Sequence, residues 1–223
     1  MKERYIRNIG TISEKEQQML FAARVCVAGC GGLGGGVIEN LARMGVGHIT
    51  AIDGDVFDET NLNRQVLANC DNIGHAKSVE AGLQMKSINP DVEVVSIQAM
   101  LDSDNAADLI RGHDLVVDAL DNVSARLALE DACEEENLTL IHGAIEAWCG
   151  EVAVVRPGSR LLHDIYEGWE ASETKPSNSS FTPAVASAIE AAEAVKVLLG
   201  REVREGAIMT FDLLGWDFEV VDF

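Results

Sequence analysis

The sequence predicts an α/β protein: a doubly wound, Rossmann-like, mostly parallel sheet with antiparallel C-terminal strands. Three observations predict it. Short apolar runs alternate with helical segments of roughly 10–15 residues as far as residue 145. A glycine-rich hexapeptide, GCGGLG at 29–34, stands where the first run meets the first helix of that series. Beyond residue 145, strand-like runs occur without crossover helices between them.

The elements are expected in this order. Ser13 and Glu16 have capping-box spacing, so a helix should run from there to about Ala23. RVCVAG (24–29) reads as a buried strand ending in glycine, and 31–45 carries Val37, Ile38, Leu41 and Met44 at helical spacing. HITAID (48–53) is the second strand, 75–90 a helix stopped by Asn-Pro, and VEVVSIQAM (92–100) the third strand. DLVVDAL (114–120) is apolar inside and so should be a central parallel strand, followed by a helix at 123–137 and a fifth strand at 139–144. CGEVAVVRP (149–157) and GAIMTFDLL (206–214) are strands, the second forming a hairpin with 218–223, and 184–200 is a helix closed by Gly200. We expect a single domain over 1–223, with an N-terminal arm and helix at 1–23. A long, polar crossover loop is expected at 161–183.

Composition narrows the function. Seventeen Lys and Arg against 37 Asp and Glu give a net charge of −20, which argues against a nucleic-acid binder because displacing counterions needs a basic face. A small basic pocket for one phosphate ligand remains compatible with it. No apolar run has the length of a membrane span, and MKERYIRNIG lacks the apolar core of a signal peptide. The five cysteines, Cys26, Cys30, Cys70, Cys133 and Cys149, include no C-x-x-C pair, so reduced thiols in a cytoplasmic protein are expected and a zinc knuckle is not.

GCGGLG fits G-x-G-x-x-G in the context that the fingerprint requires. Gly29, Gly31, Gly32 and Gly34 permit a tight turn and close backbone approach, and the helix start offers free N–H groups to phosphate. Asp53, at the end of the second strand, is placed to bind ribose hydroxyls. This unit alone does not separate NAD from ATP. The cations do so: Arg64 and Lys77 lie beyond strand ends on the ligand side of an open sheet, where a nicotinamide has no use for them and a triphosphate does. Asp118 and Asp121 are expected to face the same crevice, where a carboxylate can hold Mg²⁺. Read singly, Arg64 could be a solvated loop charge, Lys77 a helix-face charge and Asp121 an N-cap. Asp55, Asp58 and Glu59 either orient Arg64 or are simply solvated.

GCGGLG, DGD at 53–55, NLNRQ at 61–65, IGHAK at 73–77 and DALDN at 118–122 together resemble the E1-like adenylating enzymes related to ubiquitin activation. Within that family, the sequence looks most like bacterial activators of sulfur-carrier proteins in molybdopterin and thiamine biosynthesis. The resemblance implies an ATP- and Mg²⁺-dependent adenylyltransferase acting on the C-terminal glycine of a small ubiquitin-like sulfur carrier. It implies phosphate contacts from Gly32 and its neighbours, Asn61, Arg64 and Lys77, and ribose contact from Asp53; Gln65 ends the phosphate-facing turn that 61–65 are expected to form. Asp121 would hold magnesium, with Asn122 beside it. Arg7, in RYIRN, would reach the neighbouring subunit's site in a homodimer. The chain departs from the family in lacking paired C-x-x-C motifs, in having no cysteine in 161–183, and in reading RYIRN for RYxRQ. No zinc is therefore expected. Activation of another carboxylate, such as a modified tRNA base or a peptide, an NAD-dependent oxidoreductase, and a non-catalytic nucleotide-binding partner are the alternatives.

Overall fold

A computed structural model describes residues 2–168 and 177–223. Its centre is one eight-stranded sheet in the order β3-β2-β1-β4-β5-β6-β7-β8. The first five strands, β1 (Arg24–Ala28), β2 (His48–Ile52), β3 (Glu93–Ile97), β4 (Leu115–Asp118) and β5 (Leu140–Glu146), pair in parallel. β6 (Cys149–Val155), β7 (Ala207–Asp212) and β8 (Asp217–Asp222) then extend the sheet antiparallel. The expected parallel core, antiparallel finish and C-terminal hairpin are all present.

Helices cover both faces. α1 (Glu14–Ala22), α2 (Gly32–Met44), α3 (Lys77–Ile88) and α7 (Phe181–Leu198) lie on one side, and α4 (Ala106–Ile110), α5 (Val123–Glu135) and α6 (Leu161–Ile165) on the other. The strands divide between two cores because alternate residues face opposite ways. Val25, Val27, Leu115, Val117 and Ile141 join the first core, while Cys26, Ala28, Val116 and Leu140 join the second. The capping box at the head of α1 is formed: Ser13 accepts from the Glu16 N–H, and Glu16 accepts from the Ser13 N–H. Short elements without a long periodic pattern were not legible: the 3-10 turns Glu3–Asn8 and Glu59–Asn61, α4, and α6 inside the expected 161–183 loop. The middle of that loop, 169–176, lies outside the described residues.

The topology determines where a ligand can sit. From β1 the chain winds outward through β2 to β3, then returns to place β4 on the other side of β1. The crossovers on the two sides therefore part between β1 and β4, and a crevice opens at the carboxyl ends of those strands.

Candidate functional site

The glycine loop fills one side of that crevice. Gly29 continues β1 with φ +100°, donates its N–H to the Ile52 carbonyl at 2.8 Å, and packs so closely on Ala119 that a Cβ would collide with the Ala119 carbonyl. Gly34 lies in the first turn of α2, and a Cβ there would fall on the Gly29 carbonyl oxygen. The loop of β1 and the loop of β4 are thus in direct backbone contact, with the start of α2 between them. Gly31 is the N-cap of α2 and has no side chain to cap with, so the first N–H groups of the helix are left for a ligand.

Asp53 closes the loop from the β2 side. Its Oδ2 accepts the Cys30 N–H and its Oδ1 the Asp55 N–H, both at 2.8 Å. Each oxygen keeps a lone pair for a hydroxyl donor. Burial raises the carboxyl above its ordinary range, and Lys77 and the two backbone bonds only partly offset this. Cys30 is fully buried, and burial, reinforced by Asp53, pushes its thiol well up. It is a small packing residue, not a thiolate.

Lys77 is the first residue of α3 and is buried, with Nζ 2.9 Å from Asp55 Oδ2. Arg64 has a different environment. Its Nη1 donates to the Thr60 carbonyl at 3.0 Å and to Asn63 Oδ1 at 2.9 Å, and its stem lies over Gly32, 3.9 Å from where a Cβ would stand. The acids of 55–59 do not orient it: Asp55 pairs with Lys77, and Asp58 accepts from Thr60 as the cap of a 3-10 turn. Nε and Nη2 of Arg64 remain for an anion. Asn61 is buried and accepts the Asp58 N–H, which closes that turn. Gln65 is also buried, its Nε2 is 3.6 Å from a Cβ placed at Gly31, and its Oε1 has no partner among the described residues.

On the β4 side, Asn122 caps α5 by accepting the Ala125 N–H at 2.8 Å, so Asp121 is not the cap. Asp121 is exposed at the crevice edge with no bond to the described residues. Asp118 does not face the crevice. It is fully buried and points under the sheet edge to His142 Nδ1, 2.7 Å away. At the end of β4 the alternation of strand side chains turns it away from the ligand side.

Arg7 is not near these groups. It lies in the last turn of the 3-10 segment Glu3–Asn8, whose Tyr5 is buried against Phe21 and Asn89 at the amino ends of the strands. Lys2 and Arg4, the other cations of the arm, are engaged by Asp91 and Asn89 in the same chain. Two further contributors, Pro183 and Asn178, carry no sequence motif. Pro183 lies 3.4 Å from a Cβ position at Gly32, and the Asn178 carbonyl accepts from Asn63 Nδ2 at 3.1 Å. Asn178 Oδ1 is buried without a partner among the described residues.

Among the described residues, no group of three or more His, Cys, Asp or Glu is arranged to hold a metal, and no helix is long and apolar enough to cross a membrane. Residues 5–223 match the model of the ThiF family. The chain is 33% identical over 229 residues to the SAMP-activating enzyme E1 of Haloferax volcanii, covering 99% of this chain and 85% of that one. It is 34% identical over 230 residues to the sulfur carrier protein adenylyltransferase of Thermus thermophilus, covering 97% and 85%. In fold it is similar to the crystal structure of E. coli MccB with ATP, with a TM-score of 0.88 at 23% identity, covering 100% of this chain and 71% of that one.

Proposed function

The chain belongs to the ThiF family, and on that ground we propose that it is an ATP- and Mg²⁺-dependent adenylyltransferase. Its substrate is the C-terminal glycine carboxylate of a small ubiquitin-like sulfur-carrier protein, which it converts to acyl-AMP. One observation carries the reading: a side-chain-free helix start, two cations and an unspent carboxylate converge on the crevice between β1 and β4.

The residues suit ATP. Gly29, Gly31, Gly32 and Gly34 form a surface that any Cβ would fill or distort, and Arg64 and Lys77 flank it. The orphaned Gln65 Oε1 calls for a ligand with a donor, while the α2 N–H groups call for an anion; ATP carries both. Asp53 takes the ribose hydroxyls, and Asn61 shapes the turn that presents Arg64 and Gln65. Asp121 suits Mg²⁺ by its chemistry, since the residues on either side of it are bonded and its own oxygens are free among the described residues. When bound there, the ion supplies charge neutralisation of the phosphates.

The carboxylate nucleophile is already ionised, so no general base is required. Its oxygen attacks the α-phosphorus, the bond from that phosphorus to the bridging oxygen breaks, and pyrophosphate leaves with the electron pair. The obstacle is the approach of one anion to another. Arg64 and Lys77 are held before the reaction begins, Arg64 by Thr60 and Asn63 and Lys77 by Asp55, so they stabilise the developing charge without reorganising. The scattered cysteines without C-x-x-C pairs support a reducing, cytoplasmic setting. Arg7 completes the site of a second copy in a homodimer.

ATP–pyrophosphate exchange, dependent on a ubiquitin-like protein ending in Gly-Gly, tests the reading. Arg64→Ala should lower the exchange rate by about 10²–10³-fold with the fold intact. Exchange within a few-fold of wild type would remove Arg64 from the mechanism. Exchange absent from the wild type across a panel of such carriers would overturn the substrate class.

A further inference from the structure

The residues flanking Asp121 are held by a buried group of side chains that the chemistry above does not use. Asp118 Oδ1 accepts the Leu120 N–H at 3.0 Å. Arg126 donates Nη2 and Nε to the Leu120 carbonyl at 2.7 and 3.2 Å. Both polar groups of the residue before Asp121 are therefore clamped. Asn122, the residue after it, is fixed as the cap of α5.

The clamps are themselves held from behind. Asp118 Oδ2 accepts from His142 Nδ1 at 2.7 Å, with both side chains fully buried. Arg126 Nη1 donates to the Tyr166 hydroxyl at 2.6 Å, and the guanidinium lies 5.7 Å from the Tyr166 ring centroid. His142 Nε2 and the Tyr166 hydroxyl each lie 3.4 Å from Glu151 Oε1, which closes the group. Four separate elements, β4, α5, β5 and β6, and the segment after α6 meet here. Burial works against a charged imidazole, but the bonds to Asp118 and Glu151 outweigh it and hold His142 above its ordinary range. Two carboxylates thus face an arginine and an imidazole that they draw toward its protonated form. Without His142, Asp118 would keep one oxygen on Leu120 and leave the other unpaired in the interior. Its nearest remaining donor is Arg126, with Nε 3.7 Å away, and turning toward it would loosen the grip of Arg126 on Leu120.

We propose that His142 and Tyr166 are positioning residues: acting through Asp118 and Arg126, they fix the Leu120 peptide groups and so the direction in which Asp121 presents its carboxylate to the metal. The metal part of this rests on the role given to Asp121 above. The clamp does not.

The experiment uses the full chain with His142→Leu, His142→Asn, Tyr166→Phe and Asp121→Asn. Three quantities are read: amide hydrogen exchange in the peptide spanning 119–122, the Mg²⁺ concentration dependence of pyrophosphate exchange, and ATP affinity in EDTA. His142→Leu and Tyr166→Phe should speed amide exchange at 119–122 and raise the Mg²⁺ requirement by about tenfold, with ATP affinity in EDTA within about twofold of wild type. His142→Asn keeps an N–H where Nδ1 stood and should restore wild-type amide exchange. Should His142→Leu fail to fold, Tyr166→Phe, which deletes one oxygen, decides alone. Wild-type amide exchange at 119–122 in Tyr166→Phe overturns the proposal, and so does His142→Asn behaving as His142→Leu. Asp121→Asn should abolish the Mg²⁺ response and leave amide exchange at 119–122 unchanged. A wild-type Mg²⁺ response in that variant removes the metal from Asp121, while the amide exchange result still judges the clamp.

Discussion

Glu190 is fully buried in α7 against Gly143, and neither of its carboxyl oxygens has a partner among the described residues. Burial, with Asp118 adding to it, holds its carboxyl well above the ordinary value, so the folded protein keeps it neutral. An acid whose folded pKa is raised contributes stability that is intact below the unfolded pKa and is lost as pH rises toward the folded one. Above roughly pH 4.5 the unfolded chain releases this proton and the folded chain does not, which costs about 1.4 kcal/mol per pH unit across the window. Glu190→Gln has the same shape and no proton to lose. Its thermal midpoint should exceed the wild-type value by a margin that grows from pH 5 to pH 8. A constant margin would mean that Glu190 ionises in the folded state at its ordinary pKa. Nothing in the sequence marks this residue. Helical periodicity places position 190 on a helix, but the glycine that makes room for it and the acid that repels it come from β5 and β4. Asp118 shows the same limit: its position at the strand end was legible, but the partner that holds it, His142, comes from the next strand. Arg64, Lys77 and Asp53 were legible because a motif fixes their distance from a strand end.

The glycine loop separates two demands that a motif alone merges. Gly34 serves the fold: its Cα lies against the Gly29 carbonyl, and this contact seats α2 on β1. Gly34→Ala must push the helix off the strand, so it should cost about 1–3 kcal/mol and lower the thermal midpoint by several degrees. Gly31 serves the ligand. A Cβ there has 3.6 Å to Gln65 Nε2, an ordinary contact, so Gly31→Ala should melt near wild type. It should nevertheless weaken ATP binding at least tenfold, because the methyl group enters the space left for phosphate. Calorimetry and nucleotide titration on the two variants check the division, and a Gly31→Ala protein that binds ATP like wild type would show that the cradle lies elsewhere. The element order could be read from sequence for a related reason. Long helices and buried strands repeat one period over many residues, whereas the turn Glu59–Asn61 that shapes the Arg64 loop is held by single side-chain bonds and has no period to detect.

The arrangement of the whole chain bears on Arg7. The arm packs beneath the amino ends of the strands, and the nucleotide crevice opens at their carboxyl ends. β1 has five residues, so roughly 16 Å of strand separates the two edges, farther than an arginine side chain extends. Lys2 and Arg4 are occupied by Asp91 and Asn89, and Asn8 ties the arm to α1 through Gln17 at 2.8 Å. Arg7 is exposed and lacks a partner among the described residues. It therefore cannot serve its own site without unpacking Tyr5, and a second copy is the arrangement in which a packed arm still brings a cation to a triphosphate. In a twofold dimer the contact is reciprocal. Arg7→Ala and Asp121→Ala should each be nearly inactive alone. After subunit exchange, half of the molecules are mixed dimers, and each holds one site with Asp121 intact and Arg7 supplied by its neighbour. Activity should then return to roughly a quarter of wild type if the sites act independently. No recovery despite confirmed exchange would mean that Arg7 takes no part in the neighbouring site. A monomer in sedimentation under assay conditions, retaining full activity, would remove the dimer from the mechanism altogether.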